Sequence, residues 1–309
     1  MSARGVTSFV LVLLVGAGWG LLTPASKVLF AAEPSIFDGF TITVARGAWT
    51  LPVFAIGLAV AWRLDPPRLD PRRWIAALAA GVVFGAGVSL FFTLAARQTS
   101  IAHVSFVLGL TPVTNTALAA LVFRTRLDRR GVVALALGIA GVALLTLTQS
   151  DDRAGLLGDA LLVAWLAAFG AYSCLLRYIG ARVRPATLMC IVGTVAMLTM
   201  WLLGLAPGGE RAVAHVVDTP TVAWWFFGEV VVGSTLIGQT AFAAVVRRLG
   251  VSVATIGVEY TALAVGVAAS LATHEQWTPL TVIAGLLLCS ALAATFVPVP
   301  APVRIRDLG

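Results

Sequence analysis

The chain has 309 residues, of which 11% are charged and 59% hydrophobic, with a formal net charge of +7. Ordinary globular domains carry about 25% charged residues, so a soluble body of this length would leave large apolar patches facing water. That excludes a cytosolic enzyme, a disordered chain and a nucleic-acid binder. The sequence pI of about 10.3 does not reopen the last of these. The basic residues sit in short clusters between apolar runs, as in membrane loops.

A helix that crosses a bilayer needs about 20 mostly apolar residues. In chain order the sequence predicts ten, over 7–28, 37–62, 74–96, 101–123, 131–148, 155–177, 185–206, 221–246, 251–273 and 278–297. Turn or charge signals separate them: Glu33-Pro34, Asp65-Pro66-Pro67, Asp128-Arg129-Arg130, Asp151-Asp152-Arg153 and Pro207-Gly208-Gly209. The apolar character is continuous, which favours helices; lipid-facing barrel strands would alternate with polar residues. Arg4 ahead of the first run imitates a signal peptide. Its apolar stretch exceeds an h-region of about 7–15 residues, and it contains Trp19, Pro24 and Lys27, which suit a working helix.

Orientation follows from arginine and lysine. With a cytoplasmic N-terminus, the loops on that side hold sixteen basic residues, from Arg4 to Arg306, and the opposite side holds Arg97, Arg153 and Arg211. Lys27 and Arg46 remain inside the segments. Both termini are therefore expected in the cytoplasm. Cys174, Cys190 and Cys289 all lie in apolar runs with no CxxC or Cys/His cluster, so neither a disulfide framework nor a metal site is expected. No GxxxxGK[ST] loop is present, so no nucleotide drives the protein, and no cofactor is expected. His103, Glu229 and Glu259 fall on separate segments without catalytic spacing, which argues against an intramembrane enzyme.

The two halves look like repeats. Lys27 follows Trp19-Gly20 after six intervening residues, and Arg177 follows Phe169-Gly170 after six. Ser100-Ile101-Ala102 opens the fourth segment and Ser252-Val253-Ala254 the ninth. Five spans per half is an odd number, so the halves lie inverted in the membrane, a transporter architecture with its site near mid-membrane. The expected fold is all-α integral membrane: ten transmembrane helices in two inverted five-helix repeats, 1–150 and 151–309, around a central cavity.

The sequence resembles the drug/metabolite transporter superfamily, in its EamA-type ten-helix branch. The resemblance rests on Trp19-Gly20 with Lys27, on Arg46, and on the stretch from Ala95 through Thr99-Ser100 to Thr111-Pro112. In the second half it rests on Gly158-Asp159, Arg248-Leu249-Gly250 and Glu275. It implies transport of small metabolites, often export of amino acids from the bacterial inner membrane. The aromatic content adds a similarity to the aromatic amino acid exporters. The alternative is export or facilitated passage of another small amphiphile, such as a purine, a thiol or a drug, or a channel-like pore. Expected partners are the small solute and the lipid bilayer, with no nucleic acid and the chain as a monomer.

Polar groups inside membrane spans are costly and usually face the bundle interior or a watery path. Lys27, Arg46, His103, Glu229 and Glu259 are of this kind. A salt bridge between Arg46 and Glu259, joining the halves, is expected, with substrate or proton handling as the other reading. Asp159 is expected to cap the sixth helix. Trp19 and Trp165 occupy the first helix of each half and are candidates for an aromatic wall that stacks on a flat solute. Phe91, Phe92, Tyr172 and Tyr260 are candidates to extend it. Trp49, three residues after Arg46, is a further candidate, or a cation–π partner of Arg46. Gly16-x-x-x-Gly20 and Gly81-x-x-x-Gly85 permit close helix approach.

Overall fold

The computed structural model describes residues 3–32, 37–64, 66–124, 129–148, 153–179, 183–205, 221–249 and 251–294. The turn signals at Glu33-Pro34, Asp128, Asp151-Asp152 and Pro207-Gly208-Gly209 lie outside these residues. Helices cover nearly all that is described: α1 (Ala3–Ala32), α2 (Gly39–Leu64), α3 (Pro71–Gln98), α4 (Ile101–Leu108 and Thr111–Val122) and α5 (Arg129–Leu147). They continue as α6 (Arg153–Ile179), α7 (Pro185–Leu203), α8 (Thr221–Gly228, Glu229–Ile237 and Gly238–Leu249), α9 (Val251–Ala272) and α10 (Pro279–Ala294). Each falls on one of the apolar runs read from the sequence.

The starts of these helices are written locally. Asp38 accepts the Thr41 N–H at 2.6 Å, Asp70 the Arg73 N–H at 3.0 Å, Ser100 the His103 N–H at 3.1 Å and Thr278 the Thr281 N–H at 3.1 Å. Each side chain takes over a backbone donor that the first helical turn leaves unpaired. Pro71 and Pro279 follow two of these caps at the first helical position, where the missing N–H costs nothing.

Among the described residues six helices are long and apolar enough to cross a membrane, or seven with bent α4 counted as one span. α9 from Ile256 and α10 are apolar but shorter. Large apolar side chains stand on the outside: Trp225 is 79% exposed, Leu121 75% and Ile56 65%. Such a surface is stable against lipid and not against water. The protein is a multi-pass membrane protein.

The helices pair α1 with α9 and α8, α6 with α4 and α3, α2 with α7, and α5 with α10. Glycines set the closest approaches. A Cβ at Gly20 would lie 2.7 Å from the Ala262 carbonyl oxygen of α9, and one at Gly85 2.6 Å from the Ala196 oxygen of α7. The small-residue spacing therefore brings backbones together. Pro24 sits inside an unbroken α1, whereas α4 bends by 43° just ahead of Pro112.

Two helices change pitch at the centre. α3 is π-helical over Val83–Ser89 and α8 over Glu229–Ile237. A π turn widens the helix and rotates the side chains that follow, and such turns gather at functional sites. The two segments lie in the third and eighth helices in chain order.

Candidate functional site

The π-helical segment of α3 lines one cavity, and Gln239 reaches it from just beyond the π-helical segment of α8. α1 contributes Trp19 and Leu22, α2 Arg46, α3 Phe84, Val88, Ser89 and Phe92, and α4 Leu108. Trp165 and Phe169 come from α6, Gln239 from α8 and Glu259 from α9. The cavity has about 490 Å³ of space free of protein atoms, part of it open to the outside, and little of it is wide enough for water. In this conformation side chains must move for a bulky solute to enter. A smaller gap of about 260 Å³ adjoins through Phe84 and Gln239 and reaches Tyr172.

One wall is an aromatic ladder. Trp165, Phe169 and Tyr172 recur at helical spacing on α6, with ring centroids 5.5 and 5.8 Å apart. Phe92 lies 6.0 Å from Trp165 and Phe84 5.1 Å from Tyr172, so α3 locks the ladder at both ends. Tilted rings at these separations attract through their quadrupoles. On α1, the Trp19 indole N–H donates to the Ser234 carbonyl oxygen at 3.2 Å, inside the π-helical segment of α8, and its ring lies 5.2 Å from Phe242.

The polar groups are few. The Arg46 guanidinium is 4% exposed and donates through Nε to the Thr235 hydroxyl at 2.5 Å. Thr235 in turn donates to the Val230 carbonyl oxygen at 2.8 Å. Glu259 is 2% exposed and its Oε2 has no hydrogen-bond partner among the described residues; nor has the Ser89 hydroxyl. Among those residues no carboxylate lies within 4.0 Å of Arg46. The expected Arg46–Glu259 bridge is thus not formed. Both charges face the same cavity and neither neutralises the other at contact.

The structure brings Trp19, Trp165, Phe92, Arg46 and Glu259 together, places Tyr172 in the adjoining gap, and leaves the other candidates elsewhere. Trp49 is 51% exposed and packs edge-on against Trp224 and Phe227 at 5.8 and 6.3 Å, so it neither lines the cavity nor covers Arg46. Phe91 is one residue from Phe92, a rotation of about 100° on a helix, and packs into the core instead. Tyr260 likewise turns away from the cavity that Glu259 lines. Glu229 opens the π-helical part of α8 and folds back over Gly233. Lys27 is half-buried on α1, within coulombic range of Glu275.

His103 belongs to a separate polar cluster. Its Nδ1 lies 3.4 Å from Asp159 Oδ1 and its Nε2 3.2 Å from the Thr148 hydroxyl, tying α4 to α6 and α5. Asp159 is buried in the second turn of α6, so it is not the cap that the sequence suggested. Glu275 does cap a helix, but in trans. α9 ends in a Schellman motif, with His274 at φ 56° and the Glu275 N–H on the Ser270 carbonyl oxygen at 3.1 Å. That turn aims the carboxylate at the start of α4, where it accepts the Ile101 and Ala102 N–H groups at 2.7 and 3.0 Å.

Gln239, Ser89, Phe84 and Phe169 were not read as cavity residues from the sequence. Gln239 carried a readable signal, a polar side chain within an apolar run. The three cysteines are free, and the described residues hold no group of His, Cys, Asp or Glu suited to a metal ion.

Comparison with known proteins bears on the first half of the chain and on the fold. Residues 6–147, covering α1 to α5, match the model of the EamA-like transporter family. No curated protein matches the chain. A crystal structure described only as that of a protein is 19% identical, covers 96% of this chain and 97% of its own, and superposes with a TM-score of 0.56. At that identity the likeness speaks to the fold alone.

Proposed function

We propose that the whole chain is an EamA-like transporter of the bacterial inner membrane, which exports small metabolites by alternating access. Amino acids, with a preference for aromatic ones, are the proposed solutes. The observation that carries this is the cavity: it is walled by one chain, by helices of both halves, and by aromatic rings around two unlike charges. An apolar pocket with a few convergent polar groups is the usual form of a small-molecule site. A flat side chain would stack along the Trp165–Phe169–Tyr172 ladder once the cavity widens.

Ten spans in two inverted repeats complete the proposal. The packing supports it. Exchanging each helix with the one five places later leaves the pairs unchanged: α1–α9 becomes α6–α4, α1–α8 becomes α6–α3, and α2–α7 and α5–α10 map onto themselves. The two π-helical segments exchange in the same way. The arginine count supports cytoplasmic termini. The test is flux of labelled aromatic and aliphatic amino acids, a purine and a cationic drug into proteoliposomes, with and without a pH gradient. Saturable flux fastest for the aromatic amino acids is the expected result; flux of the purine or drug alone rejects the amino acid reading.

A further inference from the structure

Two opposite charges face the cavity without touching each other. Arg46 has one partner among the described residues, Thr235, and that bond uses only Nε. Its two terminal nitrogens are unused, and they are the pair that grips a carboxylate side by side. Glu259 is 2% exposed with Oε2 unpaired. A charge held that far from water is costly unless an opposite charge reaches it. The cavity otherwise offers the unpaired Ser89 hydroxyl, Gln239 and aromatic rings. Among the described residues no opposite charge meets either group at contact, and a solute that carries both signs would meet both.

We infer that Arg46 and Glu259 form a head-group clamp for a zwitterion, Arg46 receiving the α-carboxylate and Glu259 the α-ammonium of an aromatic amino acid. Thr235 positions the guanidinium, and the rings of Trp19 and Trp165 take the side chain. The inference rests on the transport reading above and goes further, because it makes both head groups obligatory. An aromatic amine leaves Arg46 unpaired, and an aromatic acid leaves Glu259 unpaired. A site built to bond a group rejects the analogue that lacks it.

Three indoles test this on the full chain in proteoliposomes: tryptophan, tryptamine without the carboxylate, and indole-3-propionate without the ammonium. Each competes unlabelled against labelled tryptophan. In the wild type the two analogues should compete at least about tenfold more weakly than tryptophan. Glu259→Gln should weaken tryptophan about tenfold and leave indole-3-propionate unchanged, since that solute never used the carboxylate. Arg46→Gln should do the same with tryptamine as the unaffected solute. Equal competition by the three indoles in the wild type overturns the clamp, even if neither variant folds. Equal weakening of all three indoles by both variants also overturns it. Tryptophan flux without head-group discrimination defeats the clamp alone, whereas no flux of any amino acid above protein-free vesicles defeats the transport reading with it.

Discussion

Replacing Arg46 by methionine separates a buried ion pair from two independent charges. Removing one partner of a buried pair strands the other and costs about 3–5 kcal/mol. Here the guanidinium has one partner, Thr235, and no carboxylate of the described residues within 4.0 Å. The substitution therefore loses a single hydrogen bond to a charged group, worth about 1.5–3 kcal/mol. It also removes a buried, largely unpaired cation, whose desolvation penalty is on the order of several kcal/mol. Methionine keeps much of the apolar stem, so packing changes little. The effects oppose each other, so no net loss approaching that of a stranded buried partner is expected. Purified Arg46→Met in detergent should melt close to the wild type and express as well, while tryptophan flux falls to background. A loss of about 3 kcal/mol or more, relieved when Glu259→Gln is added, would reveal the ion pair and refute this reasoning.

Trp165→Ala and Trp19→Ala should each reduce apparent affinity for aromatic solutes several-fold, from a stacking contribution of about 0.5–1.5 kcal/mol beyond area burial. The ratio of aromatic to aliphatic flux reports it, and phenylalanine at either position should restore part of the loss. Glu275→Ala leaves the Ile101 and Ala102 N–H groups without their acceptor, so a melting scan should register a destabilisation of about 1–3 kcal/mol for each donor that water does not reach. Cysteine labels at Asp65, Asp128 and Arg182 should react only from the cytoplasm, and labels at Asp152 and Gly209 only from outside; reaction at Asp128 from outside breaks the five-plus-five topology.

The positions of the helices were legible because apolar runs and their punctuation obey local rules. The α2 run read as 37–62 is Gly39–Leu64, and the cap-and-proline pairs Asp70-Pro71 and Thr278-Pro279 start α3 and α10 near where expected. Which face of each helix turns inward was not legible. In a bundle surrounded by lipid both faces are apolar, so periodicity does not separate core from surface. Phe91 and Phe92, or Trp49 and Arg46, could be told apart only by the fold. The π-helical segments had no warning in VFGAGVS or EVVVGSTLI, since the extra residue per turn is imposed by packing. Asp159 looked like a cap from its place near the start of α6; its role was set by His103 on another helix, 56 residues away.

The most direct test that the cavity is the solute path is substrate protection of a cysteine placed in it. Ser89 is buried, lines the cavity and has a hydroxyl with no partner among the described residues. Ser89→Cys, with Cys174, Cys190 and Cys289 replaced by alanine, would be exposed to a small cationic thiosulfonate in proteoliposomes while tryptophan flux is followed. Modification should abolish flux, and saturating tryptophan should slow the modification several-fold, with alanine giving much weaker protection. Modification that leaves flux intact, or proceeds equally fast with tryptophan present, would contradict passage of the solute between Trp19, Arg46, Trp165 and Glu259.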